Sequence, residues 1–295
     1  MNHILIIHGP NLNLLGSRDP EIYGRDTLDE VNAYIRNTTA EYGVDLDFFQ
    51  SNYEGAIIDR LHAARAEVDG VVINPAAFTH YSLALRDAIA AVELPTVEVH
   101  LSDIHQREDF RRVSVIEPVC LLQIAGHGKD SYVYGVEALL GHAVVERFAG
   151  QAASLAGTDA RLRRAVQLLH ERFPKFDWTG IYLLEGEELR LHNFIGAPSP
   201  HTRIPVGQGI CGAAVAEEAT IIVPDVNADP RYLACSVETR SEIVVPIYNE
   251  DRIVGEIDID SHRPDAFHEH DRWYLERMAE QLGRNFNFEE IVWDG

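Results

Sequence analysis

Lysine is nearly absent from this chain of 295 residues, although the chain carries 25 basic side chains. Only Lys129 and Lys175 are lysines, so almost every cation is an arginine. The guanidinium group stays protonated in proteins and cannot act as an amine nucleophile. The sequence therefore leaves few candidates for chemistry that proceeds through a covalent imine.

Cysteine is also scarce, since the chain contains only Cys120, Cys211 and Cys235. Three cysteines are too few for a disulfide framework and are typical of a reducing compartment. The CxxC and HExxH patterns of common zinc sites do not occur. We therefore expect no metal ion and no other cofactor, and we expect a cytoplasmic protein.

Long apolar segments are missing, and no run approaches the roughly 18–20 residues of a membrane-spanning helix. The chain starts directly with the strand-like run Ile4-Leu5-Ile6-Ile7, without a basic leader. Its formal net charge of −22 disfavours nucleic acid and anionic membranes as partners. The expected partners are therefore small molecules.

The first half of the chain alternates between strand-like and helix-like segments. Apolar runs predict five strands, at His3–Gly9, Val44–Ser51, Gly70–Ala76, Thr96–Ser102 and Cys120–Ala125. A capping-box pattern at Thr27 and Glu30 opens a predicted helix to about Glu41, and helical periodicity recurs at 54–67, 81–92 and 131–147. Residues 1–148 are therefore expected to form an α/β domain with a doubly wound, flavodoxin-like parallel sheet.

The pattern changes after residues 149–159, which are small and weakly patterned and predict a linker or a helix-to-helix junction. A predicted helix, Thr158–Phe173, comes next, and another covers about His268–Asn287. Two predicted hairpins lie between them, formed by Gly180–Glu185 with Glu188–Phe194 and by Ser241–Tyr248 with Arg252–Asp260. Residues 158–290 are therefore expected to form an α+β domain on an antiparallel sheet.

Polar side chains gather directly after three of the predicted parallel strands. Asn11 follows the first strand, Asn74 and His80 follow the third, and His100 and Arg111 follow the fourth. These strand ends meet at one edge of a doubly wound sheet, where ligands bind. Each residue alone has a structural explanation, such as an Asx turn for Asn11. The set as a whole indicates a site.

Four segments of the first half closely resemble the type II 3-dehydroquinate dehydratases: 9–24, 50–55, 74–80 and 98–111. The resemblance runs from residue 3 to about 143. It implies the conversion of 3-dehydroquinate to 3-dehydroshikimate by an enolate-type elimination, in the shikimate or the quinate pathway. It also implies a homo-oligomer, a dodecamer or another multiple of three chains. A catalytically inactive ligand binder is the alternative.

The resemblance implies a role for each matching residue. Tyr23 would be the general base, and Arg18 would favour its phenolate. Asn11 would hold a water that stabilises the enolate, and His100, oriented by Glu98, would protonate the departing hydroxyl. The substrate-binding set would be Asn74, His80, Ser102, Asp103, Ile104 and Arg111, supported by Asp87 and Arg107. Two residues, His8 and Asp103, stand where the family more often has Asn.

Five segments of the second half resemble the GAF domain of free methionine-(R)-sulfoxide reductase: 177–182, 202–212, 232–235, 241–246 and 255–261. The resemblance places Cys211 and Cys235 at two thiol positions of that enzyme and His201 at the third. It implies that three carboxylates bind the substrate ammonium group, that an aromatic ring forms a wall, and that a thioredoxin-like protein is the reductant. These residues would be Glu242, Asp258, Asp260 and Trp178.

Alternatives remain for this half. The GAF domain could be a non-enzymatic ligand-sensing or regulatory module. Asp258 and Asp260 alternate with isoleucines and could lie on the outer face of a strand, and Cys211 could be a packing residue. If the thiols react, we favour Cys235 as the nucleophile. We also expect the N-terminus of a predicted helix to lower the pKa of Cys211.

Overall fold

The computed structural model describes residues 1–17, 24–106, 108–233 and 236–293. The chain divides into two compact units, Met1–Leu140 and Gly141–Gly295. Within the described ranges, no helix combines the length and the apolar character needed to span a lipid bilayer.

The first unit is built on a five-stranded parallel sheet, and its strand order confirms the predicted fold class. The strands are β1 (His3–His8), β2 (Asp45–Gln50), β3 (Gly70–Asn74), β4 (Thr96–His100) and β5 (Leu122–Ala125). Their order is β2-β1-β3-β4-β5, and all pairs are parallel. This is the flavodoxin-like doubly wound order, in which the order of the strands reverses at a switch point between β1 and β3.

Four helices accompany these strands: α1 (Leu28–Thr38), α2 (Glu54–Ala64), α3 (Leu83–Val92) and α4 (Asp130–Ala152). The predicted capping box is present, because Thr27 Oγ1 accepts from Glu30 N at 3.3 Å and Glu30 accepts from Thr27 N at 2.7 Å. The predicted end of α1 near Glu41 is wrong. The hydroxyl of Thr39 donates to Ile35 O at 2.8 Å, and a short 3-10 turn follows the helix there.

The core of the first unit explains why its strands are continuous apolar runs. Ile4, Leu5, Ile6 and Ile7 are all fully buried, because helices cover both faces of a parallel sheet. Burying one such side chain contributes about 1.5–3 kcal/mol. The buried β1 thereby fixes where the following loop, 9–17, leaves the sheet.

The second unit is built on a six-stranded antiparallel sheet. Its strands are β6 (Trp178–Glu185), β7 (Glu188–Ile195), β8 (Arg203–Pro205), β9 (Ile221–Val223), β10 (Ser241–Asn249) and β11 (Arg252–Ser261). Their order is β8-β7-β6-β11-β10-β9. Both predicted hairpins are confirmed by the antiparallel pairs β6–β7 and β10–β11. The short edge strands β8 and β9 were not predicted.

Three helices belong to this unit: α5 (Gly157–Arg172), α6 (Gly209–Glu217) and α7 (Glu269–Gly283). Helix α4 ends at Ala152 and α5 begins at Gly157, so the predicted segment 149–159 contains a helix-to-helix junction. Helix α7 ends before the predicted Asn287, because Arg284 is extended and Asn285 adopts a left-handed φ of 55°.

Candidate functional site

A pocket of about 80 Å³ lies at the carboxyl ends of β1, β3 and β4, where the sequence predicted a site. It brings together seven of the predicted residues of the first half. These are Asn11, Asn74, His80, His100, Ser102, Ile104 and Arg111. Their side chains offer amide, imidazole, hydroxyl and guanidinium groups, which suit a small polyhydroxylated ligand with a carboxylate.

The loop after β1 lies directly against the end of β3. Gly9 N donates to Asn74 O at 2.8 Å, and a Cβ atom at position 9 would come within 2.6 Å of the Pro75 backbone. Only glycine therefore permits this approach. Asn11 follows with a left-handed φ of 65°, and its N–H donates to Asn52 Oδ1 at 2.8 Å. These contacts place Asn11 on the pocket wall.

Glu98 and His100 form a hydrogen-bonded pair at the end of β4, and His100 lines the pocket. Both residues are on β4, and His100 Nε2 lies 2.8 Å from Glu98 Oε1. Three further side chains donate to the buried Glu98 carboxylate: Thr79, Ser114 at 2.9 Å and Gln123 at 2.9 Å. Because a carboxylate only accepts, His100 Nε2 must carry the hydrogen.

Electrostatics keep the Glu98 carboxylate ionised. Burial by itself would raise the pKa of Glu98, but the bonds from His100, Thr79 and Gln123 and the attraction of His100 lower that pKa below its ordinary value. The ionised Glu98 accepts from His100 Nε2 and thereby fixes the orientation of the imidazole at the pocket.

Ser102, Asp103 and Ile104, which the family resemblance places in the substrate-binding set, lie in the turn after β4, and Asp103 stabilises that turn from inside. Its side chain accepts from His105 N at 2.9 Å and from Gln106 Nε2 at 2.8 Å. The backbone bond from His105 is the largest cause of its lowered pKa. Asp103 and the exposed Asp87 are not among the described residues that line the pocket. Ser102 and Ile104 do line the pocket.

Several predicted residues lie outside the described part of the chain. These are Arg18, Tyr23, Arg107 and Cys235. Their predicted roles as activating cation, general base, supporting residue and nucleophilic thiol therefore stay predictions.

His8, one of the two departures from the family pattern, is a fully buried part of the wall behind the pocket. Its Nδ1 lies 2.8 Å from the Tyr132 hydroxyl, and its Nε2 lies 2.8 Å from Asn32 Oδ1. Burial lowers the pKa of His8 to about 4, with a smaller opposite effect of Asn32. Tyr132 also bonds to Asn74, so a neutral His8 supports a pocket residue.

A row of buried carboxylates is the main feature of the second unit. Glu256, Asp258 and Asp260 alternate along β11 and share one face of the sheet, and Glu242 on β10 pairs with Asp260. All four are at most 5% exposed. The interpretation of Asp258 and Asp260 as the outer face of a strand is therefore wrong. Glu256 was missed because no predicted role pointed to it.

Burial dominates the electrostatics of this row. Burial raises the pKa of Asp258 to about 7, and it also raises those of Glu242, Glu256 and Asp260, with further increases from neighbouring carboxylates. Among the described residues, Asp258 Oδ1 has no donor, and Glu256 has none except the Cys211 thiol. The described part of the cluster thus has few donors and no cation, and an ammonium group would supply both.

Cys211 is buried beside these carboxylates, with its Sγ 3.4 Å from Asp258 Oδ2 and 4.0 Å from Glu242 Oε1. It lies in the first turn of α6. The expectation that this helix lowers its pKa is wrong. Burial and the charges of Asp258, Glu256 and Glu242 raise the pKa of the Cys211 thiol well above its ordinary value.

Trp178 lies beside the carboxylate row, because β6 pairs with β11 in the register Trp178–Asp260. The indole Nε1 donates to Ala197 O at 3.0 Å, and the ring stacks on Phe194. A Cβ atom at Gly180 would come within 2.2 Å of the indole, so the ring needs glycine there. Tyr182, the next aromatic residue of β6 on this side, donates to His201 O at 2.8 Å.

Comparison with known proteins adds two family matches. Residues 2–140 match the model for dehydroquinase class II, and residues 157–286 match the model for the GAF domain. The 3-dehydroquinate dehydratase of Geotalea daltonii is 53% identical over 139 residues, which are 47% of this chain and 96% of that protein. The one from Desulforudis audaxviator is 58% identical over 135 residues, which are 46% of this chain and 90% of that protein.

Solved structures also match the second half. A free methionine-R-sulfoxide reductase from Neisseria meningitidis, in complex with its substrate, is 38% identical to this chain. The match covers 50% of this chain and 88% of that protein, with a TM-score of 0.48.

Proposed function

The chain belongs to the class II dehydroquinase family through residues 2–140, and from this premise we propose that the first unit converts 3-dehydroquinate to 3-dehydroshikimate. A base removes a proton from the carbon next to the ketone, and an enolate forms. An acid then protonates the departing hydroxyl, which leaves as water. The reaction needs a base, an enolate-stabilising group and an acid.

The Glu98–His100 pair is the observation that carries this proposal. His100 lines the pocket, and the ionised Glu98 accepts from its Nε2–H and holds the ring in place. His100 at this position is the acid that protonates the departing hydroxyl. Asn11 and Asn74 line the same pocket and supply amide groups for the enolate water and a ring hydroxyl.

The general base is the remaining part of the proposed mechanism. Its assignment to Tyr23 rests on the family resemblance. Tyr23 removes the proton as a phenolate, and the Arg18 guanidinium favours that phenolate. The test uses the full-length protein with 3-dehydroquinate and follows the conjugated ketone of the product by ultraviolet absorbance. Tyr23→Phe should lower kcat by roughly 10²–10⁴-fold with unchanged circular dichroism. The exposed Tyr53 provides the control, Tyr53→Phe.

Three outcomes would contradict the proposal. A Tyr23→Phe variant with a tenth of the wild-type rate would remove Tyr23 as the base. Borohydride inactivation in the presence of substrate, mapped to Lys129, would show an imine mechanism instead. Tight binding of 3-dehydroquinate without turnover would support the inactive ligand binder.

For the GAF domain we propose the reduction of free methionine-(R)-sulfoxide. The buried carboxylates beside Trp178 support it, because they suit an ammonium group next to an aromatic wall. The Cys235 thiol attacks the sulfoxide sulfur and takes its oxygen, which leaves the sulfide and a sulfenic acid. A second thiol then forms a disulfide with loss of water, and a thioredoxin-like dithiol reduces that disulfide.

The test compares free and peptide-bound methionine-(R)-sulfoxide as substrates of the full-length chain. Only the free amino acid should be reduced, because the carboxylates must reach its ammonium group. Cys235→Ser should abolish the reaction, whereas Cys120→Ser should not. If ligand binds while every thiol stays reduced, the domain is a non-enzymatic sensor and the reductase proposal is wrong.

We also propose a cytoplasmic homo-oligomer with a multiple of three chains, a dodecamer by family resemblance. Large apolar side chains on the surface of the first unit support an assembly interface. Tyr81, Phe110 and Val113 are between 62% and 70% exposed. Light scattering should give a mass that is a multiple of three chains, and a fully active monomer would contradict this.

A further inference from the structure

Cys211, Glu242 and Asp258 bring three potential metal ligands together in the interior of the second unit. One ligand atom from each lies within 4.8 Å of the other two, and all three side chains are buried. We propose that these residues bind a borderline-soft divalent cation, for which Zn²⁺ is the appropriate probe. The site goes beyond the proposed reductase activity, and its existence does not depend on that activity.

The spacing of the three ligand atoms fits tetrahedral zinc. Bonds of about 2.3 Å to sulfur and about 2.0–2.2 Å to oxygen, at tetrahedral angles, separate the sulfur from each oxygen by about 3.5 Å. The Cys211 Sγ lies 3.4 Å from Asp258 Oδ2 and 4.0 Å from Glu242 Oε1. An ion can therefore enter with side-chain shifts of well under an ångström at the sulfur–oxygen pairs.

Buried acceptors with few donors beside the three ligands support a cation site. Oδ1 of Asp258 is buried without a donor among the described residues, and the buried Glu256 has no donor there except the Cys211 thiol. Buried acceptors left in this state are destabilising. A cation on Asp258 offsets the concentrated negative charge. A water in its fourth coordination position would be a donor for Glu256.

The thiol decides which cations the site prefers. Ca²⁺ and Mg²⁺ take oxygen ligands, whereas a thiolate selects zinc and softer metals. Zinc binding releases the Cys211 proton, as Cys–SH and Zn²⁺ give a zinc thiolate and H⁺. The same carboxylates would hold the ammonium group in the proposed reductase, so the cation and that substrate exclude each other.

The test uses metal-free full-length protein and two measurements. Calorimetric titration with Zn²⁺ should show one site per chain that Cys211→Ser removes. Co²⁺ should give a thiolate-to-cobalt charge-transfer band and intense visible bands of a tetrahedral site. The matched control, Cys120→Ser, should keep both signals. Glu256→Gln, which preserves shape, should weaken affinity roughly 10–100-fold.

Other results would overturn the proposal. They are the absence of a zinc site at micromolar concentration, a cobalt spectrum without a thiolate band, or binding that survives both Cys211→Ser and Glu256→Gln. If Cys211→Ser does not fold, Glu242→Gln replaces it, and unchanged zinc affinity in that variant also overturns the site. All measurements are made without sulfoxide, so loss of reductase activity alone leaves the zinc result intact.

Discussion

Glu98 in the first unit and Glu256 in the second are both glutamates with no exposed surface, yet their pKa values shift in opposite directions. Burial by itself raises the pKa of both. Glu98 accepts from four side chains, whereas the described residues offer Glu256 no donor except the Cys211 thiol. Donors and neighbouring charges, and not burial alone, therefore set the direction in which the pKa of each of these two carboxyls shifts.

This difference matches the chemistry proposed for each unit. An ionised Glu98 is held by four donors, and in the proposed mechanism it orients the His100 imidazole for proton transfer. The carboxyls around Asp258 have few internal donors and keep acceptors available for a cation. A satisfied buried carboxylate positions a catalytic group, and an unsatisfied one can bind a charged ligand.

The largest expected effect is a loss of stability of the second unit as the pH rises. Asp258 has its pKa raised to about 7, whereas in the unfolded chain it ionises near 3.8. Between these values the unfolded state releases the proton first, so stability falls as pH increases from about 4 to about 7. The shift corresponds to on the order of 4 kcal/mol.

Tryptophan fluorescence measures this effect selectively. The three tryptophans, Trp178, Trp273 and Trp293, are all in the second unit. Urea unfolding followed by fluorescence should show a falling midpoint across this pH range. Asp258→Asn should flatten the dependence, and the exposed Asp251→Asn should retain it. A urea midpoint that rises with pH would show that the buried carboxyls of the second unit do not have raised pKa values.

In the first unit we expect a somewhat smaller effect of pH on stability, with the opposite direction, because this unit loses stability as the pH falls. Burial lowers the pKa of His8 to about 4, from 6.5 in the unfolded chain. Below about pH 6.5 His8 is protonated in the unfolded state but stays neutral in the native state. The free energy of unfolding therefore falls by roughly 3 kcal/mol as the pH drops to about 4. Hydrogen exchange of a β1 peptide checks this. His8→Asn should reduce the acid sensitivity, and exposed His62→Asn should not.

The smallest expected effect tests whether the donors to Glu98 keep its carboxylate ionised. Ser114→Ala removes one donor, and a hydrogen bond to a charged group contributes about 1.5–3 kcal/mol. The acid limb of the kcat–pH profile should therefore move up by roughly 1–2 pH units. Ser154→Ala, an exposed serine of the other unit, is the control. An unchanged acid limb would show that Ser114 does not hold Glu98 ionised.

The sequence was most informative where structure is local or repeats along the chain. The capping box of Thr27 and Glu30 involves neighbouring residues and was visible directly. The gathering of Asn11, Asn74 and His100 followed from the rule that parallel strands end at one edge. The capping box needed only neighbouring residues, and the gathering of the site residues needed only the order of the strands.

Contacts between distant segments could not be read in the same way. Ser114 and Gln123 reach Glu98 from separate parts of the chain, and nothing in their own sequence context marks them. The local reading of Cys211 considered its helix, but Glu242 and Asp258 from the two neighbouring strands dominate its surroundings. Alternation along β11 placed Asp258 and Asp260 on one face without showing that this face is buried.

Infrared difference spectroscopy tests the comparison most directly, because a protonated carboxyl and a carboxylate absorb in separate regions. Spectra of wild-type protein minus Glu98→Gln and of wild-type protein minus Glu256→Gln would be recorded near pH 6. We predict a carboxylate band for Glu98 and a protonated-carboxyl band for Glu256. A protonated Glu98, or an ionised Glu256 in metal-free protein, would contradict the account.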